Sequence, residues 1–212
     1  MLLKQILVYF QTNSGEYFTA VLQHLALSFG TLLLAFIIAF PLGVIGSRSK
    51  MVAGLCSSFA QVLRIVPSLA LLFILIPLIG VGVLPALVAL VVLALPPLVI
   101  NTILGFNEVD RNLQEVGLGL GMSPRQLFFK VQLPLALPYI LNGVKLALVE
   151  VIASATLATY IGAGGLGTLI FTGLGLYRMD LLLIGGISVA LLSLMFMFIF
   201  DLVIGKVKRD VK

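Results

Sequence analysis

Charge is scarce in this chain of 212 residues, which has eight acids, thirteen bases, one His and one Cys. Each ionisable group inside an apolar run is therefore a candidate for chemistry. Glu150 is the sharpest, because it lies about half-way along such a run, where a charge is costly and usually has a job. A carboxylate there can meet a cation or relay a proton. It can equally close an interhelical salt bridge or a subunit contact. Lys145 precedes it by about one and a half turns, off the shared helix face. Arg64, in another apolar run, is a second candidate partner. Asp201 is near the end of the last run and is expected to reach the membrane interface.

The remaining chemical motifs are weaker. His24 has no second His or Cys at metal-ligand spacing, so no metal site is expected. Cys56 reads as a small buried residue. Gly162, Gly164 and Gly167 match G-x-G-x-x-G, but they follow an apolar helix rather than a strand, and no βαβ unit is visible. They read instead as the start of a glycine-rich turn, with residues 168–174 as a short helix beyond it. Gly205-Lys206 is followed by Val207 without a glycine-rich loop, so no Walker A site is present. No nucleophile, base and acid are spaced for catalysis. Any energy source must come from a partner, and no enzymatic activity is expected.

The elements that must position these residues can be read from composition. Hydrophobic residues make up 61% and charged residues 10% of the chain, far from the roughly 45–50% and 25% of soluble domains. This excludes soluble enzymes, disordered chains and disulfide scaffolds. Five apolar stretches, roughly 23–46, 56–79, 84–104, 137–161 and 181–204, are each long enough to cross a bilayer as a helix. The expected fold is all-α, a single transmembrane domain over 1–212. Arg48, Lys50, Arg111, Arg125, Lys130, Lys206, Lys208, Arg209 and Lys212 fall on one side of these spans, and only Lys4 and Arg178 on the other. Basic residues stay cytoplasmic, so the N-terminus is expected outside and the tail inside. The basic balance is thus a topology signal, and no nucleic-acid partner is expected. Leu2, Leu3, Ile6, Leu7 and Phe10 recur at helical spacing and suit a short surface helix, the alternative being a frayed terminus. Pro41, Pro67, Pro77, Pro96 and Pro97 fall in or near spans, where they can kink helices.

One long polar loop, about 105–136, separates the third and fourth spans, with Glu108, Asp110, Arg111 and Glu115 in its first half. Ser123-Pro124-Arg125-Gln126 has the form of a helix start, with a Ser cap, Pro at the first position and Gln three residues on. The expectation is two short helices joined at a glycine, the second running toward Leu133-Pro134, with Leu127 and Phe128 available for docking. A structured loop this long among otherwise short connections points to a role.

Here a family resemblance emerges. Glu115-Val116-Gly117, Gly121 and Val131-Gln132-Leu133-Pro134 resemble the EAA motif of ABC importer permeases, with the same spacing of three and nine residues. Val116 and Gly117 stand where that motif has Ala, and Val131 where it has Ile. Pro67-Ser68-Leu69-Ala70 is similar to the P-S-L-A segment of osmoprotectant permeases. Ala155-Thr156-Leu157-Ala158 followed by 161–167 is similar to their A-T-L-A…I-G-A-G-G-L-G segment. The nearest group is the glycine betaine/carnitine/choline permeases with a methionine-permease-like, type I core of five helices. The resemblance implies a non-catalytic, multi-pass permease subunit in the bacterial cytoplasmic membrane, importing quaternary-amine osmoprotectants. It implies a second permease subunit, identical or paralogous, two ATPase subunits that bind ATP and Mg, and an extracytoplasmic binding protein. Glu115, Val116, Gly117, Gly121, Ser123, Pro124, Leu127, Phe128, Val131, Leu133 and Pro134 would then form the ATPase-coupling segment. Pro67, Ser68, Glu150, Thr156, Gly162, Gly164 and Gly165 are the candidates for the path or its gate. The chain has no Trp and only five scattered Tyr, so a tight aromatic cage for a quaternary ammonium is not expected within it. The rival reading is a stand-alone channel or secondary transporter that uses Glu150.

Overall fold

The computed structural model describes residues 2–210, apart from the side chains of Arg64 and Asp210. Lys212 and the Arg64 side chain, both used above, lie outside the described residues. Apolar side chains recur so densely that helices are the form that satisfies the backbone within each segment. In chain order they are α1 (Leu2–Thr12), α2 (Ser14–Ser47), α3 (Lys50–Ile65), α4 (Ser68–Ile79) and α5 (Val83–Asn107). Then come α6 (Arg111–Gly119), α7 (Pro124–Leu127), α8 (Leu133–Ala155), α9 (Gly167–Gly175) and α10 (Met179–Asp210). A π-helical turn, Phe128–Gln132, joins α7 to α8, and a 3₁₀ turn, Leu157–Ile161, comes after α8. No strand occurs among the described residues.

Among the described residues four helices are long and apolar enough to cross a membrane: Ser14–Ser47, Val83–Asn107, Pro124–Ala155 and Met179–Arg209. The count rises to five only if the broken pair α3 and α4 is one span. The stretch expected as the second span, 56–79, is thus divided between two helices. Pro67 removes a backbone donor and pushes the residue before it out of the helical region. Pro67 itself is extended (φ −60°, ψ 133°), and α4 restarts at Ser68. The stretch expected as the fourth span, 137–161, overlaps a longer helix. That helix begins in the polar loop at Pro124, and its α-helical part stops at Ala155.

The chain divides into two compact units. One comprises residues 1–34, 66–94 and 148–196. Its core joins Leu27, Leu72, Ala86, Ala89, Leu90 and Leu93 to Ala155, Ala158 and Ile161. The alanines on α5 let neighbouring helices approach closely, the usual packing device where lipid removes a hydrophobic drive. Helix α1 sets the buried Tyr9 against Leu181 and Ile184 of α10. Burial raises the Tyr9 phenol above its ordinary pKa, and the nearby Glu16 adds to the effect.

The other unit comprises residues 35–65, 95–147 and 197–212. Val109, Ala136 and Ile140 form its core with Phe36, Phe40 and Phe106. Glycines set its closest helix contacts. A Cβ on Gly143 would lie 2.9 Å from the Pro97 carbonyl, and one on Gly105 2.9 Å from that of Ala136. Asn142 donates to Asn101 beside the first of these contacts, at 3.1 Å.

Candidate functional site

The coupling segment is built from its caps inward. Asp110 starts α6 by accepting from the Asn112 amide at 2.9 Å. The helix ends in a paired C-terminal lock: Met122 N–H donates to Gly117 O at 3.1 Å and Gly121 N–H to Leu118 O at 2.9 Å. That lock needs a left-handed residue, and Gly121 supplies φ +81°. The capping box at Ser123 then forms as read from sequence. Ser123 Oγ accepts from Gln126 N–H at 3.3 Å, and Ser123 N–H donates to Gln126 Oε1 at 2.8 Å.

Beyond the capping box the structure departs from the expectation. The second helix of the loop does not stop at Leu133-Pro134 but runs on from Pro124 to Ala155. Pro134 has no N–H to give and would crowd the carbonyl one turn back. The π turn just before it widens the helix, with Leu133 N–H reaching Phe128 O. The docking arm and a span are thus one rod.

Within the segment, Glu115, Val116, Ser123 and Pro124 are exposed, while Gly117 and Leu127 are buried against each other. Phe128 stacks on Phe106 at 5.5 Å, and Val131, Leu133 and Pro134 are half-buried. Gln132 donates to Gln114 at 2.8 Å and holds α6 to the rod. A cleft of about 960 Å³ opens beside the arm, lined by Arg48, Arg111, Arg125, Glu115 and Phe129 among others. None of the three arginines forms an ion pair among the described residues. The arm thus presents an apolar, positively charged and partly acidic surface with no counterpart in its own unit.

The path candidates fall elsewhere. Thr156, Gly162, Gly164 and Gly165 share one turn after α8. Gly162, Gly164 and Gly165 have φ of +82°, +74° and +86°. Thr156 donates to Ala153 O at 2.7 Å, and Thr159 donates to Gly164 O at 2.8 Å. Pro67 and Ser68 open α4, whose Leu72 belongs to the same core as Ala158 and Ile161. Glu150 is half-buried on α8 and is not a free charge.

Three contacts escape sequence reasoning. Lys145 pairs with Asp201 at 2.6 Å. The two are 56 residues apart, and no local spacing announces the pair. Gln23 and His24 read from sequence as no more than the start of a span. Gln23 Oε1 accepts from Gly165 N–H at 3.1 Å, and His24 Nε2 donates to Ile152 O at 2.9 Å. A polar pair at the edge of an apolar run is the signal that could have found them.

Residues 32–212 match the family described as the binding-protein-dependent transport system inner membrane component. The chain belongs to this family. This inner membrane component is 46% identical to the carnitine transport permease protein OpuCB of Listeria monocytogenes, over 91% of this chain and 88% of that one. It is 39% identical to the glycine betaine/carnitine/choline transport system permease protein OpuCB of Bacillus subtilis, over 99% and 94%. Among solved structures, it is similar to the MetNI methionine ABC transporter in an inward facing conformation. That likeness has a TM-score of 0.78 at 24% identity and covers 90% of this chain and 95% of that one. An amino acid ABC transporter solved with histidines gives a TM-score of 0.76 at 17% identity, over 94% and 97%. These likenesses give the inner membrane component the fold of type I ABC permeases.

Proposed function

We propose that this chain is the permease subunit of an ATP-driven importer of quaternary-amine osmoprotectants such as glycine betaine, choline or carnitine. It acts as a single membrane domain with the N-terminus outside and the tail in the cytoplasm. The broken α3–α4 pair serves as the fifth span. Two such subunits, identical or paralogous, line the path along their interface. An extracytoplasmic receptor delivers cargo, and two ATPase subunits bind ATP and Mg²⁺. The chain itself does no bond chemistry.

One observation carries the coupling role. The arm of residues 115–134, exposed at Glu115, Val116, Ser123 and Pro124, includes the start of the 32-residue helix Pro124–Ala155, which runs on through α7 and the π turn. A push on α7 therefore displaces a membrane helix directly. Helices are stiff along their axes, so motion of an ATPase groove reaches the bilayer without an intervening hinge loop. The arginines of the cleft and Glu115 offer the charge, and Leu118 and Leu120 the exposed apolar surface, for that contact. The channel reading loses ground because the matched family is one of binding-protein-dependent systems.

The test is ATPase co-purification and betaine uptake by Glu115→Ala and Gly121→Ala variants. Both should lower ATPase retention about tenfold, roughly 1.4 kcal/mol of docking free energy, and uptake in parallel. Wild-type retention and uptake in both would remove the coupling role.

A further inference from the structure

The glycine-rich turn is held by contacts of two different kinds. On its far side, α9 is bonded by shape to α10. A Cβ on Gly185 would lie 2.7 Å from Ile170 Cγ1, and one on Gly173 2.6 Å from the Leu182 amide nitrogen. Such backbone-level packing leaves no room for sliding. On its near side, residues 162–167 meet α2 at Gln23 and His24, and Ala163 shares a buried core with Leu27 of that helix. Gly165 N–H donates to Gln23 Oε1 at 3.1 Å. The Gly165 backbone also lies against the His24 ring, where a Cβ would be 3.1 Å from Nδ1.

The His24 ring is 1% exposed and fixed from behind. Its Nε2 faces the Ile152 carbonyl, which only accepts, so Nε2 carries the proton and donates. Nδ1 is left buried with no hydrogen-bond partner among the described residues. A buried polar atom without a partner disfavours the arrangement that buries it. The Gly165 N–H goes to Gln23 and not to that atom. The turn is therefore seated on α2 by one directional hydrogen bond, a small apolar contact and a close approach at Gly165, whose φ of +86° favours glycine, against a nitrogen that gains on exposure.

We propose that Gln23 and His24 are positioning residues that form a releasable latch for the turn at 162–167. The latch holds the turn, and α9 with it, across the outer mouth of the path. When the mouth opens, α9 moves with α10 and the parting occurs at Gln23 and His24. The latch rests on the transport reading above for its meaning, but not for its existence.

The two are separated by one experiment on the assembled transporter in proteoliposomes. Cys56→Ala removes the single native thiol, and Ala163→Cys places a reporter at a buried position in the turn. Labelling by a membrane-impermeant maleimide then reads release. Gln23→Leu should raise the labelling rate about tenfold, and Gln23→Glu, which keeps an acceptor oxygen, should leave it near the parent rate. Gln23→Leu should also raise receptor-independent ATP hydrolysis several-fold while less betaine moves per ATP. A merely structural defect would lower both. Since Gln23 is exposed, its replacement does not threaten folding as a core substitution would. Unchanged labelling in Gln23→Leu, or equal rises in the Leu and Glu variants, overturns the latch. Raised labelling confined to Gln23→Leu supports it even if the parent moves no betaine, in which case it is the transport reading that fails.

Discussion

Two glycine turns, one in each compact unit, use the same residue for opposite ends. At residues 117–121, Gly117 lets Leu127 close against α6 and Gly121 supplies a left-handed turn, yet Leu118, Leu120 and Glu115 around them stay exposed. At residues 162–167, Ala163, Gly165, Leu166 and Gly167 are buried, Gly167 faces atoms that admit no side chain, and Gly165 lies tight against His24. The first turn folds itself and leaves a face open. The second spends its glycines on contacts within its own unit. Glycine content alone does not separate a docking element from a packed one, and what surrounds each missing Cβ does.

The largest expected effect comes from the packed turn. A methyl on Gly167 would run into the Thr156 carbonyl and the Thr159 hydroxyl. Overpacking against backbone has no cheap relaxation, so Gly167→Ala should cost about 3 kcal/mol or more and strip most folded protein from detergent extracts. Gly119→Ala is the control, because nothing lies within 4 Å of its Cβ position at the end of α6. It should be neutral or stabilising by up to about 1 kcal/mol. Equal thermal midpoints for the two variants would break the contrast.

Gly121→Ala comes next. Its space is open, and only the left-handed backbone resists, at about 1–2 kcal/mol. The protein should therefore fold, with a midpoint a few degrees lower, while uptake falls about tenfold. Normal uptake with a lowered midpoint would make the turn structural like its counterpart.

Much of this is legible in the sequence because its causes are local. The Ser123–Gln126 box, the glycine spacing and the apolar runs each act over a few residues, and a short window shows each of them. The break at Pro67 is half legible, since the proline is plain but its power to end the helix inside an apolar run is not. The continuation past Pro134 is hidden, because it depends on a π turn that absorbs the proline just beyond its own end. Lys145 with Asp201, and Gln23 with Gly165, join distant parts of the chain, so no single window holds both partners.

Ser123→Ala sharpens the docking turn further. It deletes one cap acceptor while leaving the glycine lock intact, and should cost about 1 kcal/mol. Helix α7 is anchored beyond the cap by Leu127 and Phe128, so ATPase retention should fall two- to threefold rather than tenfold. A full tenfold loss would assign the coupling to the cap and not to the turn before it.

The smallest effect tests whether the open turn is where its unit meets a partner. Lys145 and Asp201 tie α8 to α10 in the same unit, away from the arm, with side-chain exposures of 16% and 53%. Water at a half-exposed carboxylate screens the pair, so a double-mutant cycle of Lys145→Met and Asp201→Asn should give a coupling energy of about 0.5 kcal/mol. Uptake per folded molecule should not change, since neither residue touches residues 115–134. A coupling energy above about 2 kcal/mol would mean that lipid or a second subunit, not water, covers Asp201, because only a dry environment makes such a pair that strong. The exposed turn would then share its unit with a second contact surface, on the flank of α10 rather than at its end.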